Sequence, residues 1–151
     1  MRFMMIVKSG KDCEAGKMPS DELLAAMEKY NKELMQAGVL EDISGLQPTS
    51  KGARVRFSVG KTTVTDGPFA ETKELIGGYW IIKVKSKEEA IEWAKRVPVQ
   101  LGENEEREIE VRQFYEFTDF LRSNGQGLFA GYGRAAQEAR ELERELAASK
   151  K

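Results

Sequence analysis

The chain has 151 residues, of which 40% are hydrophobic and 32% are charged, a composition typical of a globular protein with one core. Its 24 basic and 25 acidic residues are intermingled and leave a net charge of −1, so charge gives no reason to expect nucleic acid as a partner. No apolar run approaches the ~20 residues that cross a bilayer, and the first strand-like segment is too short for a signal peptide. We therefore expect a cytoplasmic protein that does not associate with membranes.

The chain contains one cysteine, Cys13, and no histidine. A single cysteine cannot form an intramolecular disulfide, and a thiol without a histidine lacks its usual activating base. Histidine is also the commonest ligand for zinc and copper, and no calcium-loop spacing is present. We therefore expect no metal and no cofactor.

The first part of the chain predicts a strand followed by a helix. Arg2 to Lys8 is apolar enough for a buried strand, and a polar loop follows it as far as Lys17. Ser20 is a suitable N-cap for the helix, and Gly38 is a suitable stop. The apolar side chains at helical spacing, which we expect to face the core, are Leu23, Leu24, Met27, Tyr30, Leu34 and Met35.

A second extended segment and a hairpin follow the helix. The segment covers 39–43, is interrupted at Ser44-Gly45 and is closed by Pro48. The hairpin covers 53–65 and turns at a glycine. Its first strand alternates strictly between two kinds of side chain, Val55, Phe57 and Val59 on one face and Arg54, Arg56 and Ser58 on the other.

The next part of the chain repeats the order strand, helix, strand. Residues 79–84 are predicted as a strand that begins after Gly77-Gly78. Ser86 and Glu89 form a capping box that starts a second helix. Residues 107–114 alternate charged and apolar side chains, which is typical of a half-buried strand.

Two strand–helix–strand units with a hairpin between them indicate an α+β fold, a ferredoxin-like subunit with both helices on one face of an antiparallel sheet. We assign this domain to residues 1–114. Apolar side chains on the other face of the sheet need cover, which a face-to-face homodimer would provide. Residues 115–151 are predicted as a C-terminal extension with a glycine-rich linker and an alanine-rich helix.

The stretch 64–80 combines turn residues, charges, aromatic side chains and glycines more densely than any other. Asp66-Gly67-Pro68 favours a turn because Asp accepts hydrogen bonds from nearby backbone, Gly permits positive φ and Pro fixes its own φ. Strand-like runs flank the loop on both sides. The sequence therefore predicts a shaped loop between two strands, which is a favourable place for a site.

The same stretch resembles the signature of the DGPF-type branch of the YCII-related proteins. The motifs that carry the resemblance, in chain order, are Ala37 to Leu40, Gly45 to Pro48, Asp66 to Glu74, Gly77-Gly78-Tyr79, Glu89 to Ala94 and Glu110 to Arg112. The resemblance implies a dimeric α+β barrel of ferredoxin-like subunits, mostly of unassigned function. The wider group has been proposed to use a histidine with an aspartate, and this chain has the aspartate alone.

We expect a small-molecule pocket near this loop. Its candidate ligand-binding residues are Asp66, Gly67, Pro68, Phe69, Glu71, Lys73, Gly78 and Tyr79. Asp66 is the candidate catalytic residue because a carboxylate beside apolar groups can carry a proton, although it could equally serve only to form the turn. Glu71 and Lys73 either anchor a ligand or are simply solvated, and the Tyr79 hydroxyl either donates to a ligand or faces water.

Two functions stay open at this point. The first is a non-catalytic ligand-binding or regulatory module, which the missing histidine favours. The resemblance also implies it, because similar proteins are associated with transcription initiation factors. The second is a cofactor-free isomerase or lyase acting on a small ring-derived acid or lactone, with Asp66 as proton carrier. The fold does not decide between them.

Overall fold

In this computed structural model of the chain, residues 1–70, 74–99, 101 and 106–116 are described. The chain divides into two compact units, Met1–Phe114 and Tyr115–Lys151. The predicted glycine-rich linker and C-terminal helix lie outside the described residues. No helix in the described part of the chain is long and apolar enough to cross a bilayer.

The described residues of the first unit form six strands, three α-helices and a short 3-10 helix. In chain order the strands and α-helices are β1 (Arg2–Lys8), α1 (Lys11–Glu14), α2 (Asp21–Gln36), β2 (Leu40–Gly45), β3 (Ala53–Ser58), β4 (Lys61–Asp66), β5 (Ile76–Lys83), α3 (Lys87–Ala94) and β6 (Ile109–Gln113). The 3-10 helix, Thr49–Lys51, precedes β3.

The strands form two separate sheets. Four of them pair antiparallel in the order β2-β5-β1-β6, whereas β3 and β4 pair with each other in a second, two-stranded sheet. The main sheet thus brings the first and last strands together and places β5 between β1 and β2. The predicted α+β class is confirmed, and the layout is consistent with a ferredoxin-like fold.

One face of the main sheet packs against α2 and α3. The side chains buried in this core are Phe3, Met5, Tyr30, Leu34, Trp80, Ile82, Val84, Ala90 and Val97. Tyr30 and Trp80 meet edge to face, with ring centroids 5.7 Å apart. The Tyr30 hydroxyl donates to the Trp93 carbonyl at 2.9 Å, and the Trp80 indole donates to Asn31 Oδ1 at 2.9 Å. The polar tips of these two rings are therefore paired, so neither buried donor is left without an acceptor.

The helix starts follow the sequence closely. Ser20 Oγ accepts from the Leu23 backbone N–H at 3.2 Å, and Ser86 Oγ accepts from the Glu89 backbone N–H at 3.2 Å, so both predicted N-caps are confirmed. Gly38 adopts a φ of 67° directly after α2, as its predicted role as a helix stop requires.

The apolar stripe of α2 is narrower than predicted. Leu24 is 44% exposed and Met35 is 65% exposed, whereas Tyr30 and Leu34 are buried. Leu24 follows Leu23, and Met35 follows Leu34. Successive side chains on a helix are rotated by about 100°, so Leu24 and Met35 point away from the inward face. The prediction that Leu24 and Met35 face the core is therefore wrong.

The secondary structure also differs from the prediction at α1, Gly45 and Gly78. Lys11–Glu14 forms the short helix α1 where the sequence predicts only a loop. Gly78 lies inside β5 rather than ahead of it, and Gly45 lies inside β2 rather than interrupting it, because these two residues pair with each other. Glycine permits a close approach of two backbones, and at Gly78 an added Cβ would lie 2.8 Å from the Ser44 carbonyl oxygen.

The second face of the main sheet carries a central apolar group. The register places Met4 opposite Ile81 and Ile6 opposite Tyr79, and strand alternation puts all four on the face away from the core. Ile6 is 5% exposed, and the other three side chains are half-buried. This face therefore combines apolar side chains at its centre with partial access to solvent.

We predict that Gly78→Ala destabilises the fold because an added Cβ would lie 2.8 Å from the Ser44 carbonyl oxygen. Separating β2 from β5 to relieve this contact should lower the free energy of unfolding by about 1–3 kcal/mol in urea titrations. Gly45→Ala is the matched control, since no atom lies within 4 Å of its added Cβ. Equal stability of the two variants would contradict the register.

Candidate functional site

The Asp66-Gly67-Pro68-Phe69 loop leaves the end of β4 and packs against the segment that precedes β3. The Gly67 backbone N–H donates to the Gly52 carbonyl at 2.9 Å, and the Gly67–Pro68 peptide is cis. A Cβ at position 67 would lie 1.8 Å from the Thr49 carbonyl oxygen. Glycine is therefore required here by a close backbone approach.

A carboxylate of α1 anchors the segment against which the loop packs. Glu14 accepts hydrogen bonds from Ser9 Oγ at 2.8 Å, from the Thr49 backbone N–H at 3.1 Å and from Thr49 Oγ1 at 2.6 Å. The Thr49 hydroxyl in turn accepts from the Phe69 backbone N–H at 3.1 Å. One threonine thus joins the carboxylate to the loop, and its hydroxyl is used both as donor and as acceptor.

The hydrogen bonds to Glu14 favour its charged form. The hydrogen bond from the Thr49 hydroxyl is the largest cause of a lowered pKa of Glu14, and those from Ser9 and the Thr49 backbone add to the lowering. Burial opposes them by raising the pKa of Glu14. Glu14 is therefore an anion held by donors, which suits an anchor better than a group that takes up protons.

The side chain of Phe69 forms one wall of a groove along β3. The Arg54 guanidinium carbon lies 4.0 Å from the centroid of the Phe69 ring, within the range of a cation–π contact. The groove has a volume of about 650 Å³, and its described lining residues are Arg54, Val55, Arg56, Phe57, Thr65, Pro68, Phe69 and Ala70. Four consecutive residues of β3 are among them, so the lining includes residues from both faces of this strand.

The hairpin register separates Asp66 from the arginines. Arg54 pairs with Thr65 and Arg56 with Thr63, whereas Asp66 pairs with Ala53. Side chains alternate between faces along each strand, so Asp66 lies on the face opposite to both arginines. Asp66 is also exposed and is absent from the described groove lining.

The other predicted site residues divide into three groups. Pro68 and Phe69 line the groove, and Gly67 positions them. Gly78 and Tyr79 lie in the main sheet, where the Tyr79 hydroxyl donates to Asp42 Oδ2 at 3.0 Å, and neither residue is among the described groove lining. The remaining two, Glu71 and Lys73, lie outside the described residues.

Sequence reasoning missed the most informative residues of this site. Glu14 sits in a polar segment of α1, and nothing in its spacing links it to Thr49 or to the loop. Arg54 and Arg56 stood out as one face of an alternating strand, but only the position of Phe69 shows that this face belongs to a groove. Among the described residues, no group of three or more acidic or cysteine side chains could hold a metal ion.

Comparison with known proteins places this loop in a family context. The model of the YCII-related domain family matches residues 1–118, which is most of the chain. The chain belongs to the YCII-related family. The resemblance found in the sequence is thereby confirmed at this level, and the narrower assignment to the DGPF-type branch stays a prediction.

A similar protein gives no further information about activity. The chain is 42% identical over 74 residues to an uncharacterized protein of Rhizobium meliloti (strain 1021). The match covers 49% of this chain and spans 56% of the length of that protein. Any function must therefore be argued from the groove itself.

We predict that Glu14 contributes to the acid sensitivity of the fold. Its pKa is lowered on folding, so its contribution is fully present above the ordinary value of 4.5 and is lost as pH falls through the folded-state pKa. Glu14→Gln should lower the free energy of unfolding at neutral pH by about 1 kcal/mol and flatten its decline in acid. Urea unfolding at a series of pH values measures both effects.

Glu41→Gln is the control for this experiment because it removes the same charge from an exposed position on β2. Other carboxyl groups, such as that of Glu110, also have a lowered pKa and make the free energy of unfolding depend on pH. The pH profile of Glu14→Gln must therefore be compared with that of Glu41→Gln. If Glu14→Gln and Glu41→Gln give the same pH profile, the anchoring role of Glu14 is wrong.

Proposed function

We propose that this YCII-related protein binds a small molecule in the groove beside Phe69 and that its role is regulatory rather than catalytic. The observation that carries the proposal is the groove of about 650 Å³, one wall of which is a loop anchored through Thr49 to Glu14. A preformed wall lowers the ordering cost of binding, which favours affinity for a small ligand.

The composition of the groove supports binding over catalysis. Its described lining offers arginine, threonine and apolar side chains, none of which takes up and releases protons near neutral pH. The candidate proton carrier, Asp66, is not among the described lining residues and lies on the face of the hairpin opposite to Arg54 and Arg56. The alternative, an isomerase or lyase acting on a ring-derived acid or lactone, would need Asp66 or a group outside the described residues to reach the ligand.

We predict that Phe69→Ala reduces the retention of the ligand from a cell extract by about tenfold or more, because the wall of the groove is lost. The measurement is mass spectrometry of the small molecules that remain bound to the purified full chain. Val59→Ala is the control, since Val59 lies in the turn of the same hairpin and is fully exposed. Equal retention by wild type and Phe69→Ala would contradict binding in this groove.

Asp66→Asn separates the binding role from the enzymatic alternative. The binding proposal expects this variant to retain the same molecule as the wild type, because Asp66 is not among the described residues that line the groove. If the wild type instead converts the retained molecule and Asp66→Asn binds it without converting it, the enzymatic alternative replaces the regulatory one.

We also propose that the chain forms a homodimer through the second face of its main sheet. The apolar pairs Met4–Ile81 and Ile6–Tyr79 at the centre of that face support this arrangement, because burying such a patch stabilises association. We predict a dimer in equilibrium sedimentation at micromolar concentration and a shift to monomer for Ile81→Glu, with circular dichroism as the check on folding. A monomeric wild type would rule out this interface.

A further inference from the structure

The hairpin formed by β3 and β4 has one apolar face, which consists of Val55, Phe57 and Val64. Val64 pairs with Val55, and strand alternation places Phe57 on the same side. These side chains are 53%, 80% and 66% exposed, in the order Val55, Phe57 and Val64. Every residue of β3 is exposed, and only Thr63 of β4 is partly buried. The described part of the chain therefore leaves the apolar face of the hairpin open to solvent.

The contact that the Phe69 loop makes with this hairpin is on the opposite, polar face. Arg54 alternates with the apolar residues along β3 and so lies on the polar face, where the Phe69 ring stacks against its guanidinium. A two-stranded hairpin alone is marginally stable in water and gains stability when an apolar face is covered. Burial would therefore stabilise the face that the described residues leave exposed more than the face that Phe69 contacts.

The second face of the main sheet has a matching character, because its central apolar group lies between polar residues. On β6, Glu110 accepts a hydrogen bond from Lys8 Nζ at 2.7 Å. On β2, Asp42 accepts a hydrogen bond from the Tyr79 hydroxyl at 3.0 Å. An apolar centre with a polar rim is typical of a surface that binds another protein. Neither this central group nor the apolar face of the hairpin carries a charge, so contact between them buries no ion.

The central apolar group of the second face exposes too little area to form a standard interface by itself. Ile6 is 5% exposed and the other three side chains are half-buried, whereas a standard interface buries roughly 800 Å² on each partner. The apolar face of the hairpin adds three side chains that are each more than half exposed. In a twofold dimer, each copy can place its hairpin on the second face of the other copy, so the contact forms twice.

From these observations we propose that the apolar face of the hairpin docks on the second face of the main sheet in a second copy of this chain. The inference rests on the proposed homodimer and adds the element that each copy extends across the other. The chain leaves the main sheet at the end of β2 and returns to it at β5, the strand next to β2. The hairpin is thus inserted between two neighbouring strands, and it can reach another copy without breaking a strand pair of the main sheet.

Equilibrium sedimentation of the full chain tests the inference with Val64→Glu, a substitution outside the described lining of the groove. A charge within the docked face should raise the dissociation constant of the dimer by about tenfold or more. Thr63→Glu is the matched control because it places the same charge on the polar face of the same strand. It should change the dissociation constant by less than about threefold. Circular dichroism checks that both variants are folded.

Equal dissociation constants for Val64→Glu and the wild type would overturn the inference. If Ile81→Glu is monomeric in that case, the homodimer through the second face stands without the hairpin. A monomeric wild type would overturn both the inference and the proposed homodimer.

Photo-crosslinking gives a second measurement that does not depend on an added charge. A benzophenone amino acid in place of Val64 should yield a covalent dimer whose linked peptides come from β1 or β5 of the other copy. The same amino acid in place of Thr63 should yield much less of this dimer. Absence of the covalent dimer, links to the hairpin of the other copy, or links only within one chain would each overturn the inference.

Discussion

The site depends on two successive hydrogen bonds, one from the Thr49 hydroxyl to Glu14 and one from the Phe69 backbone N–H to the Thr49 hydroxyl. They connect the short helix α1 with two segments that are 35 and then 20 residues further along the chain. Hydrogen bonds to a carboxylate are shorter and stronger than those between neutral groups. These two hydrogen bonds can therefore define the path of a loop that packs few apolar side chains of its own. The position of the Phe69 ring, and with it the stacking of Arg54, follows from that path.

The core and the groove involve different sheets of the first unit. The main sheet and its two longer helices hold the aromatic core, with Tyr30 and Trp80 fully satisfied by hydrogen bonds. The groove lies on the two-stranded hairpin, where Val55 and Phe57 are exposed and contribute little to the core. Substitutions at these exposed groove positions should therefore leave the core of the subunit intact.

The sequence predicted the fold well because its signals are local. The N-caps at Ser20 and Ser86 and the alternation of the strands act over a few residues, and the structure contains them as expected. The site was predicted less well because its geometry is long-range. Asp66 drew attention as a turn residue, yet the hairpin register, which turns it away from the arginines, is fixed by pairing with Ala53. The role of Glu14 depends on a contact with Thr49 that no spacing in the chain reveals.

Amide hydrogen exchange at Phe69 in two Thr49 variants tests the role of these two hydrogen bonds most directly. Thr49→Val removes the hydroxyl, so the Phe69 amide loses its acceptor and should exchange about tenfold faster or more. Thr49→Ser keeps the hydroxyl and should exchange at nearly the wild-type rate, and amides within β5 should be unaffected in both variants. Unchanged protection of Phe69 in Thr49→Val would show that the loop is shaped by something other than its connection to Glu14.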